Sequence, residues 1–220
     1  MWKVLPKLGL LKVLLYIFSA IFLAVIMINF TPADIEGEFT FEKFTTALGL
    51  AAPVTMLFLL IIFLAGKWGW LLIWKFPFLG KLMHRSICPN LNGTWKGKIV
   101  SNYKDDNGVA ITKDVTLNVK ADLFGFQVDL LSDDRYQGSK VVQSELYKDP
   151  RTNTFYLSYI FESDVPIPEE TDDRKFEGAA KLEIIFDDNS TRMTGTYWTN
   201  RAWQRRKNTA GVIDLSRADT

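Results

Sequence analysis

"NLNGTWKGKIV", residues Asn90 to Val100, decides how the second half of this chain folds. Successive side chains of a strand point to opposite faces. Trp95, Gly97, Ile99, Ser101 and Tyr103 therefore share one side, and Lys96, Lys98 and Asn102 take the other. An indole and an isoleucine backed by lysines describe a strand with one covered and one wet face, and the pattern predicts a strand over 91–103.

The pattern repeats to the end of the chain. Val, Ile, Thr, Tyr and Phe are interrupted by turn sequences such as Asp106-Asn107-Gly108, Asp149-Pro150 and Asp187-Asp188-Asn189-Ser190. Seven more strands are predicted at about 109–120, 122–132, 136–148, 153–163, 174–187, 190–200 and 210–217, with no helical period among them. Short connections near 121, 149–152 and 188–189 alternate with mostly longer ones at 104–108, 133–135, 164–173 and 201–209. That alternation describes an eight-stranded antiparallel up-and-down barrel, tight at one end and elaborated at the other. Parity puts Val115, Leu117 and Val119 inside, with Phe124, Phe126, Val128 and Leu130 on the third strand. The sixth strand contributes Ala180, Leu182, Ile184 and Phe186, and the last Ile213, Leu215 and Arg217.

The first 88 residues have a different character. Val13 to Phe30 is an uncharged apolar run which, with Leu8 to Leu11 ahead of it, is long enough to cross a hydrocarbon core of about 30 Å. It is too long for the core of a signal peptide, and no small-residue cleavage pattern precedes Thr31. Ala47 to Ala65 is a second such run, interrupted by Pro53, which membrane helices tolerate. Transmembrane helices are expected at about 8–30 and 47–65. Over 66–88, Trp68, Trp70 and Trp74 beside Lys67, Lys75 and Lys81 suit a headgroup interface. Lys3, Lys7 and Lys12 precede the first span, Lys67, Lys75, Lys81 and Arg85 follow the second, and the loop between carries Asp34, Glu36, Glu38 and Glu42 against Lys43. Positive residues stay inside, so both termini and the domain at 89–220 are expected in the cytoplasm.

Composition removes several function classes. Of 26 Lys and Arg, 8 lie before Pro89 against 4 Asp and Glu, leaving 18 against 21 in the barrel half. A half with net charge −3 does not suit a nucleic acid polymer, which needs a concentrated positive face. One Cys (Cys88) and one His (His84) cannot form a structural zinc site or an intramolecular disulfide, and the pair fits a membrane-exit linker better than a thiol–imidazole site. No metal or cofactor is expected. No acid, base and nucleophile set emerges, so an enzyme is the least favoured class.

The elaborated end carries charge that packing does not require. Lys113 shares the inward phase of Val115, Lys140 that of Val142 and Leu146, and Arg201 that of Tyr197. Three cations converging among Tyr103, Tyr136 and Tyr197 would repel one another without an anion. Aromatic faces with Arg and Lys suit a nucleotide, through stacking and phosphate pairing. The segment "TNRAWQRRKNTAG" adds Trp203 at the same end, for binding or self-association.

Gly93-Thr94-Trp95 at the start of the first strand, with Arg217 near the end of the last, resembles the lipocalin-like (calycin) signature, in which a guanidinium packs on the indole and closes the barrel bottom. Trp95 and Arg217 are therefore assigned structural roles. The two spans, the acidic hairpin, the Trp-rich exit and a minimal barrel opening on "LNGTWKGKI" together resemble the two-transmembrane β-barrel effectors of bacterial cyclic-oligonucleotide-based anti-phage signalling systems (CBASS). The resemblance implies a barrel that binds a cyclic dinucleotide as activating ligand, then homo-oligomerisation, membrane disruption and death of the infected cell. Two rivals stay open at this level: a membrane-tethered lipid or fatty-acid carrier, with an apolar mouth, and a scaffold whose filled barrel binds only protein.

Overall fold

The computed structural model describes residues 7–30, 40–76, 78, 89–104, 107–132, 139–165, 173–186, 190–206 and 208–218. The chain divides into two compact units, Leu5–Gly80 and a β unit from Lys81 onward. His84 and Cys88 lie outside the described residues.

In the first unit, helix α1 (Lys7–Asn29) packs on helix α2 (Phe41–Leu64) through an edge-to-face contact of Phe18 and Phe58 at 5.3 Å, and Val54 is fully buried. Helix α2 begins six residues earlier than its apolar run. Thr40 caps it, its hydroxyl accepting from the Lys43 amide at 3.3 Å, so the polar first turn through Glu42 is helical as well. Pro53 lies within the helix, and the carbonyl its ring crowds belongs to Gly49. Beyond Leu64 the helical chain continues through a π-helical turn, Ala65–Gly69, and one α-turn, Trp70–Ile73. Both helices are long and apolar enough to cross a membrane.

The second unit is an eight-stranded antiparallel sheet coiled into a nearly closed barrel: β1 (Gly93–Lys104), β2 (Ala110–Ala121), β3 (Phe126–Ser132), β4 (Lys140–Lys148), β5 (Phe155–Asp164), β6 (Lys175–Phe186), β7 (Thr191–Thr199) and β8 (Ala210–Arg217). The spatial order β3-β2-β1-β8-β7-β6-β5-β4 joins the first strand to the last and leaves β3 and β4 flanking a seam. Across it the Ser144 hydroxyl donates to the Phe126 carbonyl at 3.3 Å. Sharp coiling uses inward glycines such as Gly97 and Gly195: a Cβ at Gly97 would lie 1.8 Å from the Asp214 carbonyl oxygen, and one at Gly195 2.0 Å from that of Lys181.

The third strand is shorter than its hydrophobicity suggested. Asp122 accepts from the amides of Phe124 (2.8 Å) and Gly125 (2.5 Å) and its own amide donates to the Gly125 carbonyl, forming an Asx turn that spends residues 122–125. Phe124, expected inside, is therefore 50% exposed at that turn. The rest of the interior follows parity: Leu117, Val128, Leu157, Leu182, Ile184, Met193, Ile213 and Leu215 are all buried.

Candidate functional site

The site sits above a sealed floor. Trp95 is completely buried, its indole N–H donating to the Leu91 carbonyl at 2.9 Å. Arg217 is its register partner on β8, with the guanidinium carbon 4.9 Å above the ring and Nη2 donating to the Asn90 carbonyl. Partial burial lowers the Arg217 pKa from its ordinary value, because desolvation disfavours the charged guanidinium. The Asn92 side chain completes the floor, donating to the Ala121 carbonyl (2.7 Å) and accepting from the Ala121 amide (2.6 Å). This short segment ties three strand ends together.

Above the floor, inward rows change from aliphatic to aromatic and polar. One row runs through Ser101, Gly211, Tyr197, Ala180, Tyr159 and Ser144. Toward the loop end the next holds Thr199, Gly178, Phe161 and Val141, followed by Phe176 and Ser163. The Ser163 hydroxyl lies 2.9 Å from that of Ser139. Tyr159 is buried with no hydrogen-bond partner for its hydroxyl among the described residues, and burial pushes its pKa far above the ordinary tyrosine value.

The rim is held by one loop. Asp173 accepts from the Ala202 amide at 2.6 Å and from Arg205 Nη2 at 2.8 Å, joining the β5–β6 connection to the β7–β8 loop. The Asn200 side chain accepts from the Glu177 amide at 2.7 Å, and Thr199 and Thr209 face each other with hydroxyls 2.8 Å apart. These bonds hold Ala202 and Arg206 at φ of 45° and 58°, an uncommon region for non-glycine residues.

The predicted ligand residues divide between this rim and other places. Lys113 keeps the inward phase, because the β1–β2 register is unbroken from Gly93 to Val100; it stands opposite Ile99 and is half-buried. Tyr197 faces inward with its ring over Gly211, where a Cβ would lie 2.8 Å from Cε1. Arg201 lies past the end of β7, yet its guanidinium carbon sits 6.0 Å over the Phe176 ring, in the inward set. Lys113 and Tyr197 stand three strands apart, about 14 Å around the sheet.

Two placements need correction. Tyr103 follows a register shift between Val100 and Lys104 and is 49% exposed. A second bulge between Val141 and Gln143 reverses the phase at the start of β4, so Lys140 pairs with Glu162 on the outer face and Val142 is exposed. A bulge inserts one residue and flips every side chain beyond it. Trp203, on the short 3₁₀ turn Trp203–Arg205, is 62% exposed. Tyr136 lies outside the described residues. Conversely, Tyr159, Phe161 and Phe176 were missed. Their signal was present, since Phe155, Leu157, Tyr159 and Phe161 alternate with Tyr156, Ser158, Ile160 and Glu162.

The family profile of the Cap15 cyclic dinucleotide receptor domain matches residues 86–217, which run from just before Asn90 to Arg217. The chain belongs to the Cap15 family. A curated Cap15 relative, CD-NTase-associated protein 15 from Escherichia albertii, is 35% identical over 161 residues, covering 72% of this chain and 75% of the relative. No solved structure matches the chain significantly. Membership bears out the CBASS resemblance drawn from the opening motif and the architecture. The Cap15 receptor domain matches the β unit, which holds both the floor and the rim.

Proposed function

We propose that this chain is a membrane-anchored receptor whose barrel binds a cyclic dinucleotide at its loop end, and that binding drives homo-oligomerisation and disruption of the inner membrane. The observation that carries the reading is that the receptor-domain match coincides with a barrel that holds Arg201 over Phe176, with Tyr197 facing inward and Lys113 inward three strands away. Lys113 and Arg201 pair with the two phosphates, while Tyr197 and Phe176 offer faces to the bases. The filled aliphatic rows below favour a rim-bound ligand over a fatty acid, whose tail would have to displace Leu117, Leu157 and Leu182.

Helices α1 and α2 span the inner membrane with both termini in the cytoplasm, as the loop charges favour. Confinement to a membrane raises effective concentration, so a modest contact created by the ligand suffices to cluster the spans. The full-length protein in detergent micelles, melted with a panel of cyclic dinucleotides and with fatty acids, tests the reading. A cyclic dinucleotide at a hundredfold excess over its dissociation constant stabilises the fold by about 2.7 kcal/mol. The same ligand releases dye from liposomes carrying the protein. A shift with fatty acids alone, or with neither class, refutes the receptor reading; binding without leakage refutes the effector step.

A further inference from the structure

Tyr159 is out of place in the barrel interior. It lies on the inner face of β5, between Ser144 and Ala180 in the register, and is 2% exposed. Its hydroxyl has no hydrogen-bond partner among the described residues, although a phenylalanine would fill the same space without burying a polar atom. The rows nearer the floor are saturated with aliphatic side chains and offer that hydroxyl nothing.

The structure toward the rim is different. Phe161 lies against Tyr159, with ring centroids 6.2 Å apart and planes tilted by 46°. It seats on the bare backbone of Gly178, where a Cβ would come within 2.3 Å of its Cζ. One row further out is Phe176, under Arg201, beside the paired hydroxyls of Ser139 and Ser163. From the rim inward the order is a cation, an aromatic face, an aromatic ring in a glycine notch, and a buried hydroxyl. Phe176 and Ala180, which mark the levels of Arg201 and Tyr159, are about 13 Å apart along β6.

We propose that Tyr159 is the base-reading residue of the receptor site. A base of the bound cyclic dinucleotide displaces the Phe161 ring from its notch, stacks on it, and forms with its polar edge the hydrogen bond that the Tyr159 hydroxyl lacks in the free protein. The phenol both donates and accepts, so it can bond either kind of edge, and its fixed place at the bottom of the notch selects the base whose polar edge reaches it. This rests on the cyclic dinucleotide reading above and assigns the specificity of that site to a residue deeper than its phosphate contacts.

The test is titration calorimetry and thermal melting of the full-length protein in detergent, wild type and Tyr159→Phe. The probes are cyclic di-AMP, cyclic di-GMP and the mixed uridine–adenosine cyclic dinucleotide. The expected result has three parts: the free variant melts higher than wild type, its affinity for the preferred dinucleotide falls at least tenfold, and the spread between best and worst ligand narrows. Unchanged affinities and rank order overturn the proposal while leaving the receptor reading intact. A free variant that melts lower than wild type shows the hydroxyl already satisfied and overturns it equally. If wild type binds none of the three, the receptor reading fails and this inference with it.

Discussion

Replacing Trp95 with Phe tests whether the floor is what closes the barrel. The indole is fully buried, donates to the Leu91 carbonyl and lies beneath the Arg217 guanidinium. A benzyl side chain leaves a residual cavity on the order of 40 Å³, which at ~24 cal/mol per Å³ costs about 1 kcal/mol. Lost apolar burial adds about 1 kcal/mol. The buried Leu91 carbonyl loses its donor, for about another 1 kcal/mol. A weaker cation–π contact contributes ~0.5 kcal/mol. The expected loss is therefore roughly 3–4 kcal/mol, a fall in melting temperature of roughly 10 °C for a barrel of this size. Denaturant unfolding of the full-length protein in detergent, followed by the β-sheet circular dichroism, measures it. A double-mutant cycle with Arg217→Met isolates the coupling, expected at about 0.5–1 kcal/mol. A total loss below about 1 kcal/mol, or a coupling indistinguishable from zero, refutes the closure role.

Three further outcomes follow from the same geometry. Lys113→Ala weakens cyclic dinucleotide binding about tenfold and flattens its salt dependence, whereas Lys140→Ala, on the outer face, changes it less than about twofold; calorimetry at two ionic strengths separates them, and equal losses contradict the bulge in β4. Asp173→Ala removes both bonds that clasp the 200–206 turn, so limited proteolysis cuts that turn several-fold faster, and an unchanged rate contradicts the clasp. The third outcome concerns alkaline pH. The folded pKa of Tyr159 is raised above the unfolded value of about 10, so the contribution is complete below pH 10 and is lost as pH climbs above it. Melting temperatures of wild type and Tyr159→Phe therefore differ by a constant amount from pH 7 to 9 and diverge above 10; parallel curves throughout contradict this.

Much of the fold was legible in the chain because strand parity is local. Trp95, Leu117, Val128, Leu182, Ile213 and Leu215 needed only period two and their turn residues to be placed inside. Helix α1 was equally plain, but α2 began early, since a threonine cap carries a helix through polar residues that a hydropathy run excludes. The site was less legible. Lys113 kept its phase because β1 and β2 pair without interruption up to Val100, while Tyr103 and Lys140 lost theirs to bulges with no sequence mark of their own. Arg201 was read as inward by parity although it lies beyond the end of its strand; the 200–206 turn, not the ladder, carries it over Phe176.

By itself the sequence determined the two long apolar helices, the eight-stranded barrel and the Trp95–Arg217 contact, because periodicity, turn chemistry and composition act over a few residues at a time. Only the tertiary structure decided where the register shifts, which cations stay inside and which hydroxyl is buried without a partner. Those depend on contacts between strands distant in the chain. A bulge costs its own strand little and becomes visible only against the neighbour it fails to match, and the unsatisfied Tyr159 hydroxyl is defined by the whole wall around it.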